Sequence, residues 1–295
     1  MSETTQQQWT IKRLLDWTTE YFSKSTIGNA RLEAEVLLAE ALECERIDLY
    51  TRFDETPEDA KLTEFRVWVK RRGAGEPVAY LVGHREFYSL RFAVDPNVLI
   101  PRPETEHLVV AAIEAAKSFD VSPIRIIDVG TGSGCVAVTI AKQIEDSKIA
   151  ATDISESAIA VAQTNVHAHE VDARVKLYQG DLLEALPKGS QPVQIIVSNP
   201  PYIGRNEIET VDEQVQNHEP SIALFSGENG TEIIERLVNQ APEFLVPGGY
   251  LIFETSPIVM DQCVQLVKSN PAFAEVSVQK DYGGLERLVI ARTAG

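Results

Sequence analysis

The stretch RIIDVGTGSGC, residues 125–135, limits what this chain can fold into more than any other. An apolar run closes on Asp128 and Val129, and Gly130, Gly132 and Gly134 follow at alternate positions. That order predicts a buried strand, a tight turn and a helix, with glycines letting the backbone approach a ligand that a Cβ would block. Around it, strands predicted over 124–129, 148–152, 175–178, 193–198 and 250–253 alternate with helices over 104–117, from 135, and over 156–168, 231–240 and 258–269. Such a rhythm predicts an α/β fold with a doubly wound, mostly parallel sheet. Two final strands, over 275–279 and 287–291, flank Asp281-Tyr282-Gly283-Gly284 and predict a terminal antiparallel hairpin.

The first part of the chain reads differently. From Trp9 to Tyr80 glycine is sparse and period-two alternation is absent, while Ala34, Leu37, Leu38, Ala41 and Leu42 make one apolar stripe at helical spacing. Thr56 and Pro57 ahead of Glu58 and Asp59 predict a helix cap and first turn. Residues 86–100 alternate around Asp95-Pro96-Asn97, which predicts a hairpin turning there. The expected organisation is a helical domain over 1–85, a β-hairpin linker over 86–100 and the α/β domain over 101–295.

Charge bears on the class of partner. The 295 residues carry a formal net charge of −17, with 12 basic and 15 acidic residues in 1–85 against 15 and 29 in 86–295. A protein gripping duplex nucleic acid through its phosphates needs a basic excess, so no stable DNA binding is expected. One basic run, Lys61, Arg66, Lys70, Arg71 and Arg72, reads as a solvated helix face or as a docking face for an acidic or RNA-like partner. The three cysteines, Cys44, Cys135 and Cys263, form no CxxC pair, and His167 and His169 lack the i, i+4 spacing of a zinc helix, so no metal site is expected. The polar start, MSETTQQQWT, has no signal-peptide pattern and no apolar run is long enough to span a bilayer, so the expectation is a cytoplasmic chain away from membranes.

The glycine turn departs from a dinucleotide fingerprint in two ways. Cys135 stands where GxGxxG/A would close, and Asp128, two residues before the first glycine, would repel a pyrophosphate but suit an ammonium or sulfonium. Asp153, ending the next strand, stands where an acid accepts both hydroxyls of a ribose, although it could also cap the helix that follows. Asp181, after the strand beyond, sits where an adenine ring could be held against Leu182. Ribose, adenine and a cationic tail together describe S-adenosyl-L-methionine, with S-adenosyl-L-homocysteine as the product. With the terminal hairpin, this is similar to the class I S-adenosylmethionine-dependent methyltransferase fold. Asp128, Gly130, Thr131, Gly132, Ser133, Gly134, Asp153, Asp181, Leu182 and Asn199 are the candidate cofactor residues.

VSNPPYI, residues 197–203, supplies the chemistry. Prolines at 200 and 201 fix two φ angles and restrict Asn199 in front of them. The Asn199 side-chain oxygen and the Pro200 carbonyl can each accept one N–H of a planar NH₂ group, which orients the nitrogen and exposes its lone pair. Tyr202 offers a face for stacking the acceptor. Asn199, Pro200 and Tyr202 are therefore the catalytic candidates, with Pro201 beside them at the substrate. Both an adenine amino group and a glutamine amide satisfy this chemistry. A third reading, binding of S-adenosylmethionine without transfer, gives the Asn-Pro-Pro-Tyr run no purpose.

Wider stretches decide between acceptors. EPVAYLVGHREFYSLRFAVDPNVLIPRPETE (76–106), the glycine turn, VSNPPYI, HEPSIALFSGENG (218–230) and LVPGGYLIFE (245–254) resemble the release-factor glutamine methyltransferase family (PrmC/HemK), from about Leu14 to Arg292. The resemblance implies N5-methylation of the glutamine in the Gly-Gly-Gln loop of class I peptide-chain release factors. It further implies a helical domain that grips that protein, and help from Phe87 and the Pro101-Arg102-Pro103-Glu104-Thr105 segment in lining the site; separately, a monomer is expected. Two positions depart from the family pattern: Ser89 replaces an expected glycine, and Leu182 an expected aromatic.

Overall fold

A computed structural model describes residues 8–25 and 27–295. Most of the polar start read above therefore lies outside the described residues. The chain divides into two compact units at Gly83 and His84, and each is taken by itself.

The first unit is helical: α1 (Ile11–Lys24), α2 (Ala30–Leu42), α3 (Arg46–Thr51), α4 (Asp59–Gly73) and α5 (Val78–Val82). Ala34, Leu37, Leu38 and Ala41 of the predicted stripe are buried, packed with Ile11, Leu15, Phe22, Leu49 and Phe65. The cap expected at Thr56 is displaced: α4 begins at Asp59 with Glu58 in the cap position. Most of the basic run on α4 is neutralised within the unit. Lys61 pairs with Glu43, Arg66 with Asp59, Arg71 with Glu76, and the buried Arg72 with Glu33. These pairs favour the plain reading of that run, a helix face carrying its own counter-charges.

The second unit opens with a hairpin, β1 (His84–Phe87) and β2 (Leu90–Ala93), followed by α6 (Glu106–Ala116). It continues β3 (Ile124–Val129), α7 (Cys135–Gln143), β4 (Ser147–Asp153), α8 (Glu156–Ala168), β5 (Val175–Gln179) and β6 (Val193–Ser198). Then come α9 (Glu213–His218), α10 (Ser221–Leu224), α11 (Glu232–Gln240), β7 (Leu245–Glu254), α12 (Met260–Ser269), β8 (Phe273–Lys280) and β9 (Glu286–Thr293).

The hairpin turns at Tyr88 and Ser89, not at Asp95-Pro96-Asn97. Phe87 pairs with Leu90, and both turn residues have positive φ, 51° and 60°. A two-residue turn of that hand matches the twist of its strands, and the Glu106 carboxylate accepts from the Tyr88 amide at 2.7 Å. Asp95 makes a separate turn, its side chain accepting from the Asn97 amide at 2.9 Å.

The seven-stranded sheet runs β5-β4-β3-β6-β7-β9-β8. Strands β3 to β7 are parallel, and β9 inserts antiparallel between β7 and β8. One face is covered by α6, α7 and α8 through Leu108, Val136, Val138 and Val166, the other by α11 and α12 through Ile234, Leu237, Met260 and Val267. Cover on both faces explains why β6 reads as an unbroken buried run. Strand order reverses between β3 and β6, and ligands bind beside the carboxyl ends of strands at such a point.

Candidate active site

Val129 and Ser198 are register partners, so the glycine turn and the Asn-Pro-Pro-Tyr run leave the sheet side by side. The Ser198 hydroxyl donates to the Val129 carbonyl at 2.8 Å, and the amides of Gly130 and Thr131 both donate to the Thr152 carbonyl at 2.9 Å. Above these ends lies a cavity of about 220 Å³. Asp128, Gly130, Thr131, Gly132, Ser133, Asp153, Asp181, Leu182 and Asn199 all line it. Gly134 does not; a Cβ there would press within 3.2 Å of Ala162, so this glycine serves the packing of α7 on α8.

The acceptor set suits a cationic ligand with ribose hydroxyls. Asp128 is 1% exposed, and burial pushes its carboxyl up to about 7 despite the Thr131 hydroxyl donating to it at 2.6 Å. Burial also raises Asp153, whose two oxygens accept from the amides of Gly132 and Ser155 at 2.9 Å each. No ion pair reaches either carboxyl among the described residues, so a cation beside Asp128 would restore the charge that burial suppresses. Gly132 has a φ of +56°, and a Cβ there would meet no protein atom within 4 Å, projecting into open space at the cavity wall. The Ser133 and Thr152 hydroxyl oxygens are buried without hydrogen-bond partners. These features fit S-adenosylmethionine.

Other expected residues are placed less simply. Asp181 lines the cavity while pairing with Arg236 at 2.6 Å, and Leu182 beside it has a φ of +48°. Asn199 and Pro201 line the cavity; Pro200 is buried and Tyr202 packs on the core under α11 and α12, its phenol raised by burial. Phe87 does not line this cavity: it is 2% exposed and set edge-on to Phe92 at 6.1 Å in the core. Cys135 is buried with its thiol pushed up to about 12, in keeping with a packing role.

Sequence reasoning missed part of the wall. Asn97, Val98 and Leu99 contribute, as do Ile222, Ala223, Phe225, Ile233 and Arg236. The segment after α9 is stitched to the Asn-Pro-Pro-Tyr run by Ile203 donating to the Leu224 carbonyl at 3.1 Å and Ser226 donating to the Ile203 carbonyl at 2.9 Å. Gly230 is needed there, since a Cβ would lie 2.6 Å from the Tyr202 carbonyl oxygen. The Glu219 carboxylate accepts from the Ile100 amide at 3.1 Å and from Arg102 at 2.5 Å, tying two walls together. Of this wall, Asn97 to Leu99 lie in the 76–106 stretch and Ile222 to Phe225 in HEPSIALF, both singled out through resemblance and not through periodicity.

Residues 13–83 match a PrmC N-terminal domain and residues 108–218 a methyltransferase small domain. Over the whole chain, 45% of residues are identical to a release factor glutamine methyltransferase from Rhodopirellula baltica, with 100% of both chains covered. The chain belongs to the release factor glutamine methyltransferase family. Relatives with that name include one from Geobacter sulfurreducens, 39% identical over 96% of this chain and 97% of its own length. Another, from Bacillus subtilis, is 36% identical with the same coverage. Among solved structures, a 16S rRNA methyltransferase from T. thermophilus, solved with AdoMet and guanosine, superposes with a TM-score of 0.53. That likeness has 17% identity, covers 71% of this chain and 49% of the other, and concerns the fold. As a family member the chain has a helical first unit and a methyltransferase second unit, and no described helix is long and apolar enough to cross a membrane.

Proposed function

We propose that this enzyme methylates the side-chain amide nitrogen, N5, of the glutamine in the Gly-Gly-Gln loop of class I peptide-chain release factors. S-adenosylmethionine, when bound, supplies the methyl group and leaves as S-adenosylhomocysteine. The observation that carries the reading is the placement of Asn199 at the end of β6, in register with the glycine turn and lining the same cavity.

The residues divide the work. Asp153 accepts from ribose hydroxyls, Asp128 favours positive charge, and Leu182 with Asp181 borders the adenine. The Asn199 Nδ2 donates to the Thr105 hydroxyl at 3.1 Å, which leaves Oδ1 to accept an N–H of the substrate amide. The Pro200 carbonyl accepts the other N–H, and Tyr202 supports the run from behind. An amide nitrogen oriented this way exposes its lone pair for in-line attack, and its surplus proton leaves after transfer. The helical unit, residues 1–85 in the sequence reading, grips the release factor, with 86–100 as a linker and 101–295 as the catalytic part. The enzyme acts as a monomer in the cytoplasm and does not hold DNA stably, as its acidic balance supports.

Methyl transfer from labelled S-adenosylmethionine, offered purified release factor beside unmethylated DNA, tests this. Label on the Gly-Gly-Gln glutamine, lost with Asn199→Ala, is the expected result. Label on DNA adenine would overturn the acceptor, and no label on either with cofactor still bound would overturn transfer.

A further inference from the structure

We infer that Thr105 and Glu254 decide which way the Asn199 side-chain amide faces, and that both are positioning residues for methyl transfer. The inference rests on the proposed transfer to a glutamine amide. Three groups form a buried line. Asn199 Nδ2 lies 3.1 Å from the Thr105 hydroxyl oxygen, and the buried Glu254 carboxyl faces that hydroxyl as the acceptor its proton can turn to. Thr105 is 3% exposed and Glu254 2%. They come from distant parts of the chain: Thr105 closes the turn Pro103–Thr105, and Glu254 ends β7. Ser198 and Phe253 are register partners, so Glu254 follows one strand end as Asn199 follows its neighbour.

Hydrogen-bond polarity makes this line directional. A carboxylate only accepts, while a hydroxyl carries one proton and two lone pairs. With Glu254 ionised, the Thr105 proton points at Glu254 and only lone pairs face Asn199. The Asn199 amide must then present NH₂ to Thr105, and Oδ1 is left for the substrate. A flipped amide would set oxygen against oxygen and offer the substrate NH₂ a second donor, spoiling the orientation that transfer requires. The charge also polarises the line, making Oδ1 a stronger acceptor.

Glu254 has features that a merely structural acid would lack. Its Oε2 is buried without a hydrogen-bond partner, and no ion pair reaches it among the described residues. The groups that face it are Thr105, Arg287 of β9, Arg102 and Glu104 of the segment before α6, and the Tyr202 phenol. Burial raises its carboxyl to about 7, with Thr105, Arg287 and Arg102 acting against that and Glu104 adding to it.

The test compares kcat and cofactor affinity for the full-length enzyme, Glu254→Gln, Thr105→Val and Thr105→Ser, using release factor at saturating S-adenosylmethionine. Glutamine can donate to Thr105 and so removes the fixed polarity. Glu254→Gln and Thr105→Val should each lower kcat roughly 10- to 100-fold, with cofactor Kd changed less than about threefold. Thr105→Ser should recover most of the rate that valine loses. In the wild type, kcat should rise with pH through about 7 as Glu254 ionises, and Glu254→Gln should lack that limb. A wild-type rate in Thr105→Val, or an unchanged pH limb in Glu254→Gln, would overturn the inference. If Glu254→Gln proves unfolded by circular dichroism, the valine and serine pair decides alone. Failure of the wild type to label release factor would instead overturn the function proposed above.

Discussion

In the helical unit Glu35 is 2% exposed and held from three sides, by Arg31 at 2.8 Å, Arg46 at 2.9 Å and the Tyr50 hydroxyl. In the α/β unit Asp128 and Glu254 are equally buried, and no ion pair reaches either among the described residues. Burial pulls the Glu35 carboxyl upward, but Tyr50, Arg46 and Arg31 more than offset it, and it lies below the usual carboxylate range. Burial wins at Asp128 and Glu254, and both rise to about 7. A buried acid with its partners built in serves the fold. One left short of partners costs stability and is ready for a ligand, which is why perturbed acids mark functional sites.

The comparison can be broken most severely at Asp153. Asp153→Ala should weaken S-adenosylmethionine binding by at least about 100-fold, through loss of charged hydrogen bonds worth on the order of 3 kcal/mol. Isothermal titration calorimetry checks this, and unchanged affinity would remove Asp153 from the ribose. Glu35→Ala should do the opposite, sparing cofactor affinity while lowering unfolding free energy by about 2 kcal/mol. That lies below the roughly 3–5 kcal/mol typical of breaking a fully buried pair, because the Arg31 and Arg46 side chains are 36% and 51% exposed. Denaturant titration of the full chain would measure it.

Asp128 sharpens the contrast through pH. Its folded value, about 7, exceeds the ordinary 3.8, so the folded state holds the proton more tightly than the unfolded chain. The resulting stability is fully present below about 3.8 and is lost as pH rises through about 7. Cofactor affinity should move the other way, weakening up to about tenfold per pH unit below 7 because protonation competes with the cation. Asp128→Asn should bind more weakly and lose this pH dependence, which calorimetry between pH 5.5 and 8.5 would show. An equal slope in the variant would place the titration elsewhere. The smallest effect is expected at Ser89, where a left-handed backbone costs a non-glycine residue about 1–2 kcal/mol. Ser89→Gly should stabilise the enzyme by about 1 kcal/mol or less in thermal unfolding, without changing cofactor affinity.

The Tyr88–Ser89 turn also shows what was not legible in advance. Neither residue favours positive φ, so local propensity pointed to Asp95-Pro96-Asn97, and the contact from Glu106 is invisible until α6 is in place. The burial of Phe87 beside Phe92 is likewise a property of the packed hairpin and not of its local sequence. The Arg102–Glu219 pair joins residues 117 apart, and no local pattern announces it.

What the sequence by itself determined was local and periodic. The bounds of β3 and β6 and the start of α7 follow from apolar runs, a glycine turn and prolines, each acting on φ, ψ or facial burial within a few residues. The resemblance of long stretches carried the acceptor. Only the tertiary structure decided which ends would meet. Placing β3 between β4 and β6 sets Asp128, Asp153 and Asn199 around one cavity, and β7 brings Glu254 within reach of Thr105. Strand order and buried polar contacts depend on the packing of both sheet faces at once, and no window of sequence contains that sum.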